Sequence, residues 1–294
     1  MRFFFLVFAL LFPCFVLAGD SIRSKASPCE IDEEWCRLEK QHDFPGTFST
    51  HVKDSLHSAK KMPPAKTLRQ LPFQQFCHGE KFVFAVNWGP INAGYTILEA
   101  KPDSTGSVLE ITGKGMTNSF FSSFYKVRDF ISATIDMQGI YPFFFEQHIR
   151  EGKYKAERWE MFDQRNNVTY TYRKDVDSIP CPAFVQNYFS MIYYLRTLSF
   201  APGDSFAFDC FVDKKPYRLV MTCPKRATIT VEAGTFNCLM VKPVLVGEGR
   251  VFTKKDEILL WFTDDKFKMP VMAKAKIKFG SITGSLIWYD HTGK

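Results

Sequence analysis

Much of what marks a catalytic or metal-binding chain is missing here. There is no H-E-x-x-H, G-x-G-x-x-G, P-loop or G-x-S-x-G pattern. Gly280-Ser281-Ile282-Thr283-Gly284 places its serine second rather than centrally, in a strand-turn-strand context. Histidine is scarce: His42, His51, His57, His78, His148 and His291 are not spaced with one another or with cysteine as metal ligands are. No C-x-x-C occurs, which leaves zinc ribbons and thioredoxin-type redox sites without support. No cofactor or metal is therefore expected. Past residue 16 no apolar run approaches the ~20 residues of a membrane-spanning helix. Gly 17 and Pro 16 in 294 residues exclude collagen-like and low-complexity chains. An apolar content of 46% excludes a disordered one. No RNP-type motif appears, so nucleic acid is not an expected partner.

What is present begins with a leader. Met1-Arg2 is followed by an almost wholly apolar Phe3–Val16, and Val16-Leu17-Ala18 offers small residues where a signal peptidase reads. The pattern predicts a secretory signal peptide over 1–18, with an uncleaved anchor as the alternative. A lipoprotein reading of Cys14 fails because Pro13 precedes it and apolar residues follow. Loss of Arg2 takes the side-chain charge from +7 to +6, a weak basic balance that a solvated surface accounts for.

Seven cysteines then remain: Cys29, Cys36, Cys77, Cys181, Cys210, Cys223 and Cys238. An odd number in an exported chain leaves at least one thiol free or paired outside the chain. Ser27 with Glu30 forms a capping box, and Pro28 suits the first helical position, so a helix from Pro28 to about Gln41 is predicted. In such a helix Cys29 and Cys36 stand about 10 Å apart along the axis, beyond the ~7 Å reach of a disulfide. Cys210 and Cys223 flank a predicted hairpin and are the favoured disulfide pair.

The chain divides into the leader 1–18, a polar arm and linker 19–75 that includes Met62-Pro63-Pro64-Ala65-Lys66, and a domain over 76–294. In that domain Phe82, Phe84, Val86 and Trp88 alternate with Lys81, Val83, Ala85 and Asn87, the period of a strand. Tyr95–Ala100 and Val127–Ile135 follow, then 153–161, 168–173, 206–212, 217–222, 228–232, 237–243, 257–263, 271–279 and 285–289. Many antiparallel strands at short spacing argue an all-β sandwich, barrel or strongly curved sheet. Lys274, Lys276 and Lys278 alternate with Ala273, Ala275 and Ile277, so the lysine side of that strand meets solvent.

One long helix interrupts the strands, opened by Cys181-Pro182-Ala183-Phe184 and running through Leu198. Its apolar residues surround the axis, which marks a buried helix, and the concavity of a curved sheet is its natural place. Arg196 then needs an acidic partner; Asp129, Asp163, Asp264 and Asp265 are candidates. Adjacent Asp264 and Asp265 suit a turn better than joint catalysis.

Several motifs occur in a telling order. Gly79-Glu80-Lys81-Phe82 and Val86-Asn87-Trp88-Gly89-Pro90-Ile91-Asn92-Ala93-Gly94 come first. Tyr125-Lys126-Val127-Arg128-Asp129, Tyr193-Tyr194-Leu195-Arg196-Thr197-Leu198 and Ala233-Gly234-Thr235-Phe236-Asn237-Cys238 follow. Trp261-Phe262-Thr263-Asp264-Asp265, Pro270-Val271 and Phe279-Gly280-Ser281-Ile282 close the set. Over about residues 76–290 the chain resembles domain of unknown function family 3108. The resemblance implies an exported protein of a Gram-negative bacterium, resident in the periplasm or the outer envelope. It also implies an all-β, mainly antiparallel fold: a large, strongly curved sheet or half-open barrel, in whose concavity the helix read from the residues would lie. It carries no agreed activity. In physical terms Gly89, Gly94 and Gly234 suit tight turns or positive φ, Pro270 a strand start, and Trp88 and Trp261 inward packing.

Three functions follow. A curved sheet with aromatic inner faces could carry an apolar, lipid-like ligand, with Phe84, Trp88, Tyr188, Arg196 and Trp261 as candidate contacts. The runs Phe143-Phe144-Phe145 and Phe120-Phe121 exceed what a core needs and favour that reading. The alternative is a structural or assembly factor of the envelope acting by protein contact. An enzyme would require Asp129, Arg196 and Asp264 to converge in an open site.

Overall fold

The computed structural model describes residues 31–33, 35–37, 68–72, 74–246, 258–276 and 280–291. The leader 1–18, Cys29, the linker 62–66 and residues 277–279 of the lysine-bearing strand lie outside the described residues.

Fourteen strands form one sheet. They are β1 (Glu80–Trp88), β2 (Ile91–Pro102), β3 (Val108–Thr117), β4 (Arg128–Asp136), β5 (Pro142–Glu151), β6 (Tyr154–Asp163), β7 (Val168–Tyr172), β8 (Val176–Pro180), β9 (Ser205–Val212), β10 (Lys215–Val231), β11 (Gly234–Val246), β12 (Ile258–Thr263), β13 (Pro270–Lys276) and β14 (Ser281–Asp290). Helix α1 (Ser119–Ser122) joins β3 to β4, and α2 (Tyr188–Thr197) joins β8 to β9. The strand order is β8-β7-β6-β5-β4-β3-β2-β1-β14-β13-β12-β11-β10-β9, and every pairing is antiparallel. Sequence neighbours pair throughout except at two places. β1 pairs with β14, and β8 and β9 are left as the free edges.

Tight turns set the registers. Asp213 and Lys214 both take positive φ, 47° and 66°, the backbone a two-residue turn needs to match strand twist. Gly89, in the turn after β1, and Gly234, at the start of β11, have φ of 56° and 141°, backbone that favours glycine. Gly94 is required for another reason. It lies inside β2, where a Cβ would stand 2.0 Å from the Met116 carbonyl oxygen, so close backbone approach rather than positive φ demands glycine there.

The concave face and α2 share the main core. Phe82, Leu98, Ile111, Ile131, Phe145, Phe162, Phe211 and Leu219 from the strands pack with Tyr188, Phe189, Met191, Tyr193 and Leu195 from the helix. The convex face is also covered in part. Residues 31–33 and 35–37 are helical, and Ile31 and Trp35 are buried against Val83, Tyr95, Ile97 and Met116. Burial of a side chain as large as Trp35 stabilises by about 3 kcal/mol. Asp32 adds an ion pair with Lys81.

α2 starts later than its composition predicts. Cys181–Asn187 is not helical: Phe184 takes φ of 57°, and Gln186 bridges β9, its N–H donating to Asp209 O at 2.8 Å and its carbonyl accepting from Phe211 N at 2.8 Å. Asn187 is the true N-cap. Its side chain accepts from Phe189 N and Ser190 N, while Ser190 Oγ accepts from Asn187 N. This capping box stops the helix from extending toward Pro182.

Cys210 and Cys223 do not form the expected disulfide; both are free and buried. The turn at Asp213-Lys214 pairs Cys210 with Tyr217, leaving Cys223 six residues further along β10. Cys36, Cys77, Cys181 and Cys238 are free as well.

Candidate functional site

The concave face is apolar by strand alternation, yet three sets of charged or polar side chains are placed inside it. At one end Arg196, near the C-terminus of α2, meets Glu80 of β1 in a two-pronged ion pair. Arg196 Nη2 donates to Glu80 Oε2 at 2.8 Å and Nη1 to Oε1, while Nε donates to Phe267 O at 3.1 Å. Both side chains are buried, and the guanidinium lies over the rings of Phe76 and Tyr193, 4.7 and 5.1 Å from their centroids. The acid that Arg196 requires is thus Glu80, not Asp129, Asp163, Asp264 or Asp265. A pair so enclosed fixes the helix against β1.

The second set lies by the free edges. Glu160 of β6 sits opposite Phe145 of β5 and Thr171 of β7, and Tyr188 packs on Phe145 with ring centroids 5.5 Å apart. Burial raises the Glu160 carboxyl to about 8, although the charges of Arg173 and Arg158 pull it back. Burial likewise pushes the Tyr188 phenol up, with Glu160 beside it adding to the effect. Among the described residues no hydrogen-bond partner serves Glu160 Oε2, Thr171 Oγ1, Tyr188 Oη, Gln186 Oε1 or Asn187 Nδ2. Burial with Oε2 left unpartnered favours the neutral carboxyl of Glu160 over its carboxylate.

The third set, on the inner face beside the β5–β6 turn, is a hydrogen-bonded carboxyl pair, Asp129 of β4 and Glu151 of β5. Burial, reinforced by Glu151, holds Asp129 well above the carboxylate range, while the Arg150 N–H donates to its Oδ1 at 2.8 Å. Burial lifts Glu151 to about 7, with Asp129 and Arg158 opposing. Two buried carboxyls in contact disfavour each other's ionisation, and both are shifted upward.

These sets do not form one catalytic cluster. Asp129 pairs with Glu151, Arg196 with Glu80, and Asp264 with Arg226 at 2.6 Å. Asp265 is a turn residue, accepting from the N–H groups of Phe267 and Lys268. No three His, Cys, Asp or Glu side chains converge as a metal set among the described residues.

The other candidate contacts scatter. Phe84 is in the main core, and Tyr188 opens α2. Trp88 packs beside Val86, Val127, Ile258, Ala275 and Ile282. Trp261 does not face inward: its neighbours Leu260 and Phe262 take the concave face, and it joins Cys238, Met240 and Val271 on the opposite side. Pro270 is the first residue of β13. The Phe143-Phe144-Phe145 run is strand β5 rather than surplus. Phe145 enters the core, Phe144 packs with Trp159 on the other face, and Phe143 meets Tyr141. Sequence reasoning missed Glu80 and Glu160. An acid at an inward position of an alternating strand was the available signal, and Glu80 shows it, two residues before Phe82.

The family described as "Protein of unknown function (DUF3108)" matches residues 83–287. The chain belongs to this family. No curated protein matches it. Among solved structures it is similar to a beta-barrel-like protein of domain of unknown function DUF1849 from Brucella abortus. There the identity is 9% and the TM-score 0.53, over 72% of this chain and 97% of that one. A DUF1089 family protein from Pseudomonas aeruginosa is 11% identical with a TM-score of 0.30, over 72% and 95%. The first likeness is one of fold alone, and it agrees with a curled antiparallel sheet that β8 and β9 leave unclosed. No helix among the described residues is long and apolar enough to cross a membrane.

Proposed function

We propose that this is an exported protein that works through its outer surface, as a non-catalytic structural or assembly factor of the cell envelope, with the periplasm of a Gram-negative bacterium as its compartment. The leader pattern over 1–18 supports export. The observation that carries the surface reading is α2. Tyr188, Phe189, Met191, Tyr193 and Leu195 are all buried in the core that the concave face builds. The volume an enclosed apolar ligand would need is taken by the protein's own side chains, which weighs against the carrier reading.

The test is extraction of the natively purified protein with organic solvent, followed by mass spectrometry. The surface reading expects no lipid in stoichiometric amount. One lipid per chain, retained through purification, would replace it with the carrier reading.

A further inference from the structure

We infer that the end of the sheet formed by the β3–β4 connection and the β5–β6 turn docks on an anionic lipid bilayer; this rests on the surface-acting reading above and names the surface. Phe120 and Phe124 are each 56% exposed, with ring centroids 5.5 Å apart. Hydrogen bonds and one buried ring anchor the segment that carries them. Phe121 between them is buried, and Asn118 caps α1 by accepting from Phe121 N at 2.9 Å. Ser122 Oγ meets Thr117 Oγ1 at 2.8 Å, and Arg128 donates to the carbonyls of Thr117 and Val127. A soluble surface does not ordinarily present a fixed pair of phenyl rings.

The neighbouring turn completes the patch. Gly152 N donates to Lys126 O at 2.8 Å, and the Tyr125 ring packs over Gly152. This seats the β5–β6 turn against Tyr125 and Lys126 of the connection that carries the two rings, and Lys153, Tyr154 and Lys155 of the turn are exposed, as is Lys126. No acid occurs from Met116 to Arg128. Glu151 is turned inside with Asp129, and Glu157 is held by Arg150 at 2.9 Å. Asp175 and Asp213 lie between other strands of the same end, the latter paired with Arg173.

Rings flanked by lysines need an apolar partner and a negative one together. A bilayer interface with anionic headgroups supplies both, without demanding a shaped contact. A protein partner fits less well. Three partly exposed rings offer about 400 Å² at most, against the ~800 Å² per side of a stable interface.

The test is flotation of the purified full chain with phosphatidylglycerol-containing vesicles and with pure phosphatidylcholine vesicles. Binding is expected to the first, to weaken with added salt, and to fall about tenfold or more in Phe120→Ser/Phe124→Ser. Lys126→Gln/Lys153→Gln/Lys155→Gln should lose a similar factor. A Phe124→Trp variant, read by blue-shifted emission and quenching by brominated lipid, reports insertion independently of those variants' folding. The assignment is overturned if phosphatidylglycerol vesicles are not bound, if both multiple variants bind undiminished, or if the rings engage a protein while ignoring vesicles. A lipid extracted from the purified chain would overturn the surface reading of the concavity while leaving vesicle flotation intact, so the two failures are distinguishable.

Discussion

Glu160 offers a direct measurement of how the interior treats a charge. Its carboxyl has an ordinary value of 4.5 and is raised to about 8 in the folded chain by burial. Between those values the folded protein keeps a proton that the unfolded chain has released, so stability falls as pH rises. Below the lower value both states are protonated and nothing is lost. Above the upper one both are ionised and the slope vanishes. The loss runs at about 1.4 kcal/mol per pH unit and accumulates to about 5 kcal/mol across the window. Glu160→Gln keeps the shape and removes the titration. Urea unfolding of both proteins across the range about pH 4 to about pH 9 should give a stability difference that is flat at the acid end. It should then move steadily in the variant's favour and level off above about pH 8. Glu151 and Asp129 are also raised by burial, but they titrate in both proteins and cancel in the difference. A difference that stays constant from about pH 5 to about pH 9 would refute the argument, because it would mean the carboxylate is hydrated or paired in the fold.

Other outcomes follow from the same packing. Arg196→Met strands the Glu80 carboxylate in the core and should cost about 3–5 kcal/mol in denaturant unfolding, whereas Glu80→Leu combined with Arg196→Met should recover most of that loss. Of the six described cysteines only Cys36 is exposed, and burial raises Cys77 to about 11, Cys210 to about 12 and Cys238 to about 11. A thiol reagent at neutral pH should therefore modify Cys36 in the native protein and the other five only after denaturation, as peptide mass mapping would show. Gly94→Ala should destabilise by more than the ~1–3 kcal/mol usual for overpacking, because the obstacle is the Met116 backbone, and thermal unfolding would report it.

Strands with one apolar face were legible in the sequence; those with two, or with none, were not. β1 and β4 read clearly because one set of alternate positions is apolar. β5 hid behind three consecutive phenylalanines that serve both faces. β3 hid because Gly113 and Gly115 leave gaps in its inward row, and β8 because it is five residues long with no buried member. The buried helix and the need of Arg196 for an acid were both readable. Its partner was not, since Glu80 lies 116 residues away and only the β1 register brings it there. The disulfide guess failed on counting: once Asp213-Lys214 is the turn, Cys210 and Cys223 cannot be opposite.

The strand order explains why the buried polar groups gather where they do. Pairing of β1 with β14 puts the ends of the domain in mid-sheet and moves the free edges to mid-chain, at β8 and β9. Open edges invite pairing with other chains. Here the connection between them does the covering. Gln186 adds a bridge to β9, and ion pairs of Arg173 with Asp213 and of Lys214 with Asp177 join the two sides. Gln186, Asn187 and Tyr188 carry inward polar atoms because the backbone there must leave β9 and begin a capped helix within two residues. One stretch, 181–198, thus bridges the β9 edge and packs into the concave core. A ligand entering by the unpaired edges would have to undo both at once, breaking the Gln186 bridge and expelling the core side chains of α2. That coupling is what supports the proposal that partners meet the outer surface rather than the interior.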